Sequence, residues 1–96
     1  MIALNDLSAI GAMRAAVDEN LRVPRDLSVI GVDNIPLAEY LPVALTTISQ
    51  PIKEMVTRTA NLLIQRIAGK AALRPTQTIF PTELVIREST AKPLRR

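Results

Sequence analysis

Apolar positions along the chain change their period several times, and each change marks an element. Met1-Ile2-Ala3-Leu4 is a short apolar stub that reads as the end of a strand. From Asp6 to about Asn20 the spacing becomes helical. Leu7, Ile10, Val17 and Leu21, with Arg14 among them, form one stripe, and Ala9, Ala12, Met13 and Ala16 form a second beside it. A helix apolar over so wide an arc has two sides to bury. One suits a sheet; the other wants a further partner, in this chain or in a second copy. Asp6 is placed to cap this helix by accepting from its first backbone N–H groups.

After the turn residues Val23-Pro24-Arg25-Asp26 comes Leu27-Ser28-Val29-Ile30-Gly31-Val32-Asp33. This β-branched run lacks strict alternation, as expected of a parallel strand covered on both faces. Leu37 to Leu41 predicts a short helical turn or a loop, closed by Pro42, and Leu45 to Ser49 a second strand. Pro51 suits a helix start, where its missing N–H costs nothing. Ile52, Met55, Val56, Thr59, Leu63 and Ile67 then repeat at helical spacing until Gly69. Lys70 to Thr76 reads as loop. Gln77 to Glu88 reads as extended and bent at Pro81, with a loose tail after Ser89. The alternation implies an α/β fold, a mostly parallel sheet flanked by helices. No linker marks a division into two domains.

Composition narrows the function. The 96 residues contain no Cys and no His, which removes disulfides, zinc fingers and thiol nucleophiles, together with the commonest general base. Ser8, Ser28, Ser49 and Ser89 therefore lack a His partner, and none sits in a nucleophile elbow. Asp33 with Glu39 or Glu54 is the only carboxylate pairing worth considering for acid–base work, and no spacing requires it. We read the chain as non-enzymatic, with no metal and no cofactor. No apolar run reaches the ~18 residues of a membrane span. The first residues do not resemble a secretion signal, so the expected compartment is the cytoplasm. The net charge of +3 invites a nucleic-acid reading, but the basic residues are scattered except in Lys92-Pro93-Leu94-Arg95-Arg96. Tyr40 and Phe80 are too few for a base-stacking platform.

Polar chemistry gathers where strands end. In open parallel sheets, ligands bind beyond the carboxyl ends of the strands. Here those ends read Asn5-Asp6, Asp33-Asn34 and Ser49-Gln50. If the strands are parallel neighbours, these side chains share one rim. A carboxylate accepts twice, and Asn and Gln both donate and accept. Such a set suits a sugar, base or nucleoside. Phosphate would call for a Gly-rich turn, and Gly11, Gly31 and Gly69 are isolated. The same residues also serve as helix caps and turn formers, and position alone does not choose between the two roles.

Several segments carry a resemblance. Asn5 to Ala15 looks like the "NDxxAxGAxRAL" stretch of the LacI/GalR transcription regulators, and Leu21 to Asp33 resembles their "GLRVPEDVSVVGFDD". Leu45 to Pro51 resembles "LTTVRQP", and Pro81 to Thr90 resembles "PTELVVREST". The order and spacing match too. The resemblance implies a three-layer, periplasmic-binding-protein-like lobe over residues 1–90, the C-terminal subdomain of an effector-binding and dimerisation core. Residues 91–96 would form a flexible basic tail. DNA would be met only through an N-terminal domain that lies outside this stretch, so the chain is expected to be a C-terminal fragment.

The resemblance makes Asn5, Asp33 and Gln50 candidate contacts to a small effector, a sugar or a nucleobase-like ligand. It also assigns Ile10, Arg14, Val17, Tyr40 and Leu41 to a homodimer interface; for Ile10, burial within the chain's own core is an equal reading. There are departures. The family's aromatic-Asp-Asp is Val32-Asp33-Asn34 here, and Asn20 replaces a glycine while remaining able to adopt a left-handed cap. A fragment of a periplasmic-type solute-binding protein, or a stand-alone dimerisation module, are the alternatives.

Overall fold

The computed structural model describes residues 1–70 and 74–94. Its elements are α1 (Asp6–Asp18), β1 (Ile30–Asp33), α2 (Leu37–Tyr40), β2 (Thr46–Ser49), α3 (Ile52–Ile67) and β3 (Glu83–Val85). The single body expected from the missing linker divides into two compact units. One holds Met1–Ser49 and the segment from Glu83 onward; the other is Gln50–Thr82. The chain leaves the first unit at Ser49-Gln50, where β2 ends, and returns at Thr82-Glu83, where β3 begins.

The first unit is an α/β layer. β2 lies between β1, to which it is parallel, and β3, to which it is antiparallel. Ile30 pairs with Thr46 and Asp33 with Ser49, so β1 and β2 end level with each other. The apolar stub joins on the free side of β1. Ile2 bridges Ile30 in parallel, with Ala3 N–H donating to Ile30 O at 2.8 Å and Ile30 N–H to Met1 O at 3.0 Å. β3 is much shorter than the extended Gln77–Glu88 run. Only Glu83–Val85 finds partners on β2, and pairing rather than propensity sets a strand's length.

α1 packs against the sheet through its small-residue stripe. Ala9 and Ala16 are buried and Met13 packs on the core, while Leu7 and Val17 remain exposed. Small side chains let the helix backbone approach the sheet closely. Ala3, Val29, Ala38 and Leu45 complete this compact core, with Val23, Leu27, Ile35 and Leu41 packed around it. Both long helices end in the same left-handed cap. After α1, Asn20 has φ 56°, Leu21 N–H donates to Ala16 O and Asn20 N–H to Val17 O. After α3, Gly69 has φ 70°, Lys70 N–H donates to Gln65 O and Gly69 N–H to Arg66 O. These are the paired bonds of the Schellman motif, and Asn replaces Gly in the first without loss of the geometry.

The segment after β3 is held more firmly than its sequence suggests. Ser89 is fully buried; its hydroxyl donates to Val29 O at 2.6 Å and accepts from Thr46 N–H at 2.8 Å. Thr90 Oγ1 lies 3.0 Å from Thr46 Oγ1, and Ala91 N–H donates to Ser28 Oγ at 3.1 Å. The chain is thus tied down as far as Ala91, whereas a loose run was expected after Ser89. The middle of the Lys70–Thr76 loop and the final Arg95-Arg96 of the tail lie outside the described residues. Ser89→Ala leaves a backbone donor and an acceptor buried without partners. It should lower unfolding stability by about 2–3 kcal/mol, read as a fall in the urea midpoint at constant slope.

The turn between α1 and β1 has an ionic lock. Asp26 accepts from Arg22 N–H at 2.8 Å and from Arg22 Nε at 3.5 Å. The backbone bond, aided by the charges of Arg22 and Arg25, holds the Asp26 carboxyl below its ordinary 3.8. Its contribution is present above pH 3.8 and is lost as pH falls through the lowered value.

Candidate effector site at the strand ends

Because the stub, β1 and β2 run parallel, their carboxyl ends lie along one edge of the first unit. Asn5, Asp33, Asn34 and Ser49 therefore lie along that edge. Gln50 follows Ser49 directly but opens the second unit; it is half-buried, and its carbonyl accepts from Ile52 N–H at 2.8 Å.

The helix cap is Asn5, not Asp6. Asn5 Oδ1 accepts from Ser8 N–H at 2.8 Å, and the residue is half-buried. Its amide NH₂ group, the donor half of the side chain, is not used by the cap. Asp6 instead turns inward and is fully buried. Its Oδ1 accepts from the Thr47 hydroxyl at 2.6 Å and its Oδ2 from Ile35 N–H at 2.8 Å. Asn5 and Asp6 are equally good caps by type, and the register of the stub against β1 decides which one caps. Room for Asp6 comes from Gly31, where a Cβ would collide with the Asp6 carboxylate and stand 3.0 Å from Leu45 Cδ2.

At the end of β1 the backbone leaves the ordinary regions of φ. Asp33 has φ 115° and Asn34 φ 57°. Consecutive left-handed residues that are not glycine are uncommon, and such conformations cluster at ligand clamps and switches. Asn34 is fixed by three contacts. Its N–H donates to Thr47 Oγ1 at 3.3 Å and its Nδ2 to Ser49 Oγ at 3.4 Å, while its Oδ1 accepts from Arg87 Nη2 at 2.7 Å. The same guanidinium donates through Nη1 to Leu45 O at 3.0 Å. Asn34 thus faces inward as a brace. Sequence reasoning passed over Arg87 as one scattered cation among many; a lone Arg in an extended run gives no local sign that it reaches across to another strand's end.

A second feature lies on the outer face of α1. Ile10, Arg14, Val17 and Leu41, four of the five residues expected at a dimer interface, line an apolar groove of about 600 Å³ with Leu21 and Pro42 among its walls. Val17 is 63% exposed, and Arg14 forms an exposed 3.1 Å ion pair with Asp18. Tyr40, the fifth, is 77% exposed at the end of α2 and does not line the groove. Among the described residues no cluster of acidic side chains could hold a metal ion, and no helix is long and apolar enough to cross a membrane.

A family model for the periplasmic binding protein-like domain matches residues 1–90. The HTH-type transcriptional repressor PurR of Erwinia tasmaniensis is 47% identical over 87 residues, which cover 90% of this chain and 25% of that protein. The chain belongs to the periplasmic binding protein-like family, in its LacI/GalR branch. Solved LacI-type structures superpose on it closely. A LacI family transcriptional regulator from Enterococcus faecium with bound ribose gives a TM-score of 0.83 at 39% identity, over 98% of this chain and 34% of that one. A transcriptional regulator CelR–cellobiose complex gives 0.85 at 34% identity, over 92% and 27%. The chain spans about a quarter of the length of the curated relatives it matches. Its α/β architecture is that of a partial lobe of this LacI/GalR domain.

Proposed function

We propose that this chain is the effector-binding and dimerising part of a LacI-type transcriptional regulator, working in the cytoplasm and without catalysis. The convergence of Asn5 and Asp33 at parallel strand ends, with Asp33 in a left-handed conformation, carries the reading. The Asp33 carboxylate accepts vicinal hydroxyls or ring N–H groups, and the Asn5 amide donates. A neutral sugar or a nucleobase-like molecule fits this inventory. The structures with ribose and cellobiose bound support the same ligand class. Relatives named as regulators and repressors favour this reading over a solute-binding protein.

In an intact regulator, effector binding would shift a two-state equilibrium and so alter DNA affinity. DNA contact would belong to another part of the protein. α3 fits an incomplete assembly, since it buries no side chain while Val56, Leu63, Ile64 and Ile67 are exposed. The remainder of a regulator of the relatives' length would cover such a face. The 96-residue chain alone should therefore bind no operator DNA in a gel shift. In calorimetry it should bind sugars with a Kd of about 1 mM or weaker. Tight binding in either assay would contradict the assignment.

A further inference from the structure

Resting on the reading that Asp33 meets the ligand, we propose that Asp6, Thr47 and Arg87 are positioning residues that hold its backbone from three separate elements. A φ of 115° at Asp33 followed by 57° at Asn34 is not what free Asp-Asn would adopt. Strained conformations of this kind persist only where their surroundings over-determine them. Here the surroundings act on the two residues that follow Asp33. The first residue of α1 supplies Asp6, whose Oδ2 accepts from Ile35 N–H at 2.8 Å. β2 supplies Thr47, which accepts from Asn34 N–H at 3.3 Å and donates its own proton to Asp6 Oδ1 at 2.6 Å. The segment after β3 supplies Arg87, whose fork joins Asn34 Oδ1 to Leu45 O.

The parts interlock. The Thr47 hydroxyl can accept from Asn34 because its proton is committed to Asp6. Both are fully buried, so water cannot substitute for either. Arg87 works through its fork, and a lysine at this position keeps the charge but cannot bridge two acceptors in the same plane. The outcome is a rim whose Asp33 direction is set before any ligand arrives, which removes an ordering cost from binding.

The test is NMR on the isotopically labelled 96-residue chain, with no ligand needed. The readouts are the backbone and χ1 couplings of Asp33 and the amide exchange of Ile35, with the core amides of Val29 and Leu45 as internal references. In Thr47→Val, Ile35 exchange should rise about tenfold or more relative to those references, with the Asp33 couplings averaging. Arg87→Lys should average the Asp33 couplings as well, and Thr47→Ser, which keeps the hydroxyl, should restore the original values. Should Thr47→Val fail to fold, Arg87→Lys and Arg87→Gln decide. Asp33 couplings unchanged in the folded variants, or Ile35 exchange rising only in step with Val29 and Leu45, would overturn the proposal. A sugar titration that leaves Asp33 untouched sinks the ligand reading but not the clamp; unchanged couplings sink the clamp but not the ligand reading.

Discussion

Asp6→Ala is expected to cost about 3–5 kcal/mol of folding free energy, because one buried and one part-buried group stripped of their partner cost ~1–3 kcal/mol each and a void is added. The groups are the Thr47 hydroxyl and Ile35 N–H, which bond to the two Asp6 oxygens at 2.6 and 2.8 Å. A domain of this size has only about 5–15 kcal/mol to lose. The substitution should therefore leave the first unit partly unfolded at 37 °C, seen as a collapse of the urea midpoint and loss of amide dispersion. Asp6→Asn keeps the shape and one acceptor, and should cost less. A helix cap on an exposed rim would behave otherwise, with a loss nearer 1 kcal/mol confined to the first turn of α1. The size of the effect thus separates the buried role seen here from the capping role that the local sequence suggests.

Val17→Glu should convert an associating chain into a monomer while leaving its fold intact. Val17 is 63% exposed and lines the apolar groove on the outer face of α1, so glutamate there is harmless to an isolated chain. In a symmetric pair the same position meets its counterpart's surface, and a carboxylate would have to shed its hydration against apolar walls. The expected change is about a hundredfold or more in the dimer dissociation constant, measured by light scattering across a dilution series. An unmodified chain that stays monomeric at high micromolar concentration, or a variant that pairs as before, would count against dimerisation through this face.

Much of this architecture is legible along the chain, and the illegible parts share a cause. Periodicity, Pro51, Asn20 and Gly69 locate the helices because caps and breakers act within a turn of their own position. The α/β class follows from alternation, and the shared edge of Asn5 and Asp33 from parallel pairing, but the antiparallel placing of β3 against β2 does not. What escaped the sequence reading acts over long separations. Asp6 is buried because Gly31 leaves space for it, Ser89 because Val29 and Thr46 offer partners, and Arg87 braces Asn34 from the far side of β2. A local pattern can name the chemical type of such residues but not the distant groups that complete them. The division into two units is hidden for the same reason, since nothing in the composition distinguishes a strand end from a crossing point.

The most direct measurement is a proton–nitrogen NMR titration of the 96-residue chain with D-ribose and cellobiose, up to about 50 mM given the weak affinity expected of half a clamp. Saturable shifts centred on the side-chain amide of Asn5 and the backbone of Asp33 and Asn34, abolished in Asp33→Ala, are the predicted result. Shifts confined to the groove beside Val17, or a spectrum in which Asn5 and Asp33 do not move with either sugar, would contradict it.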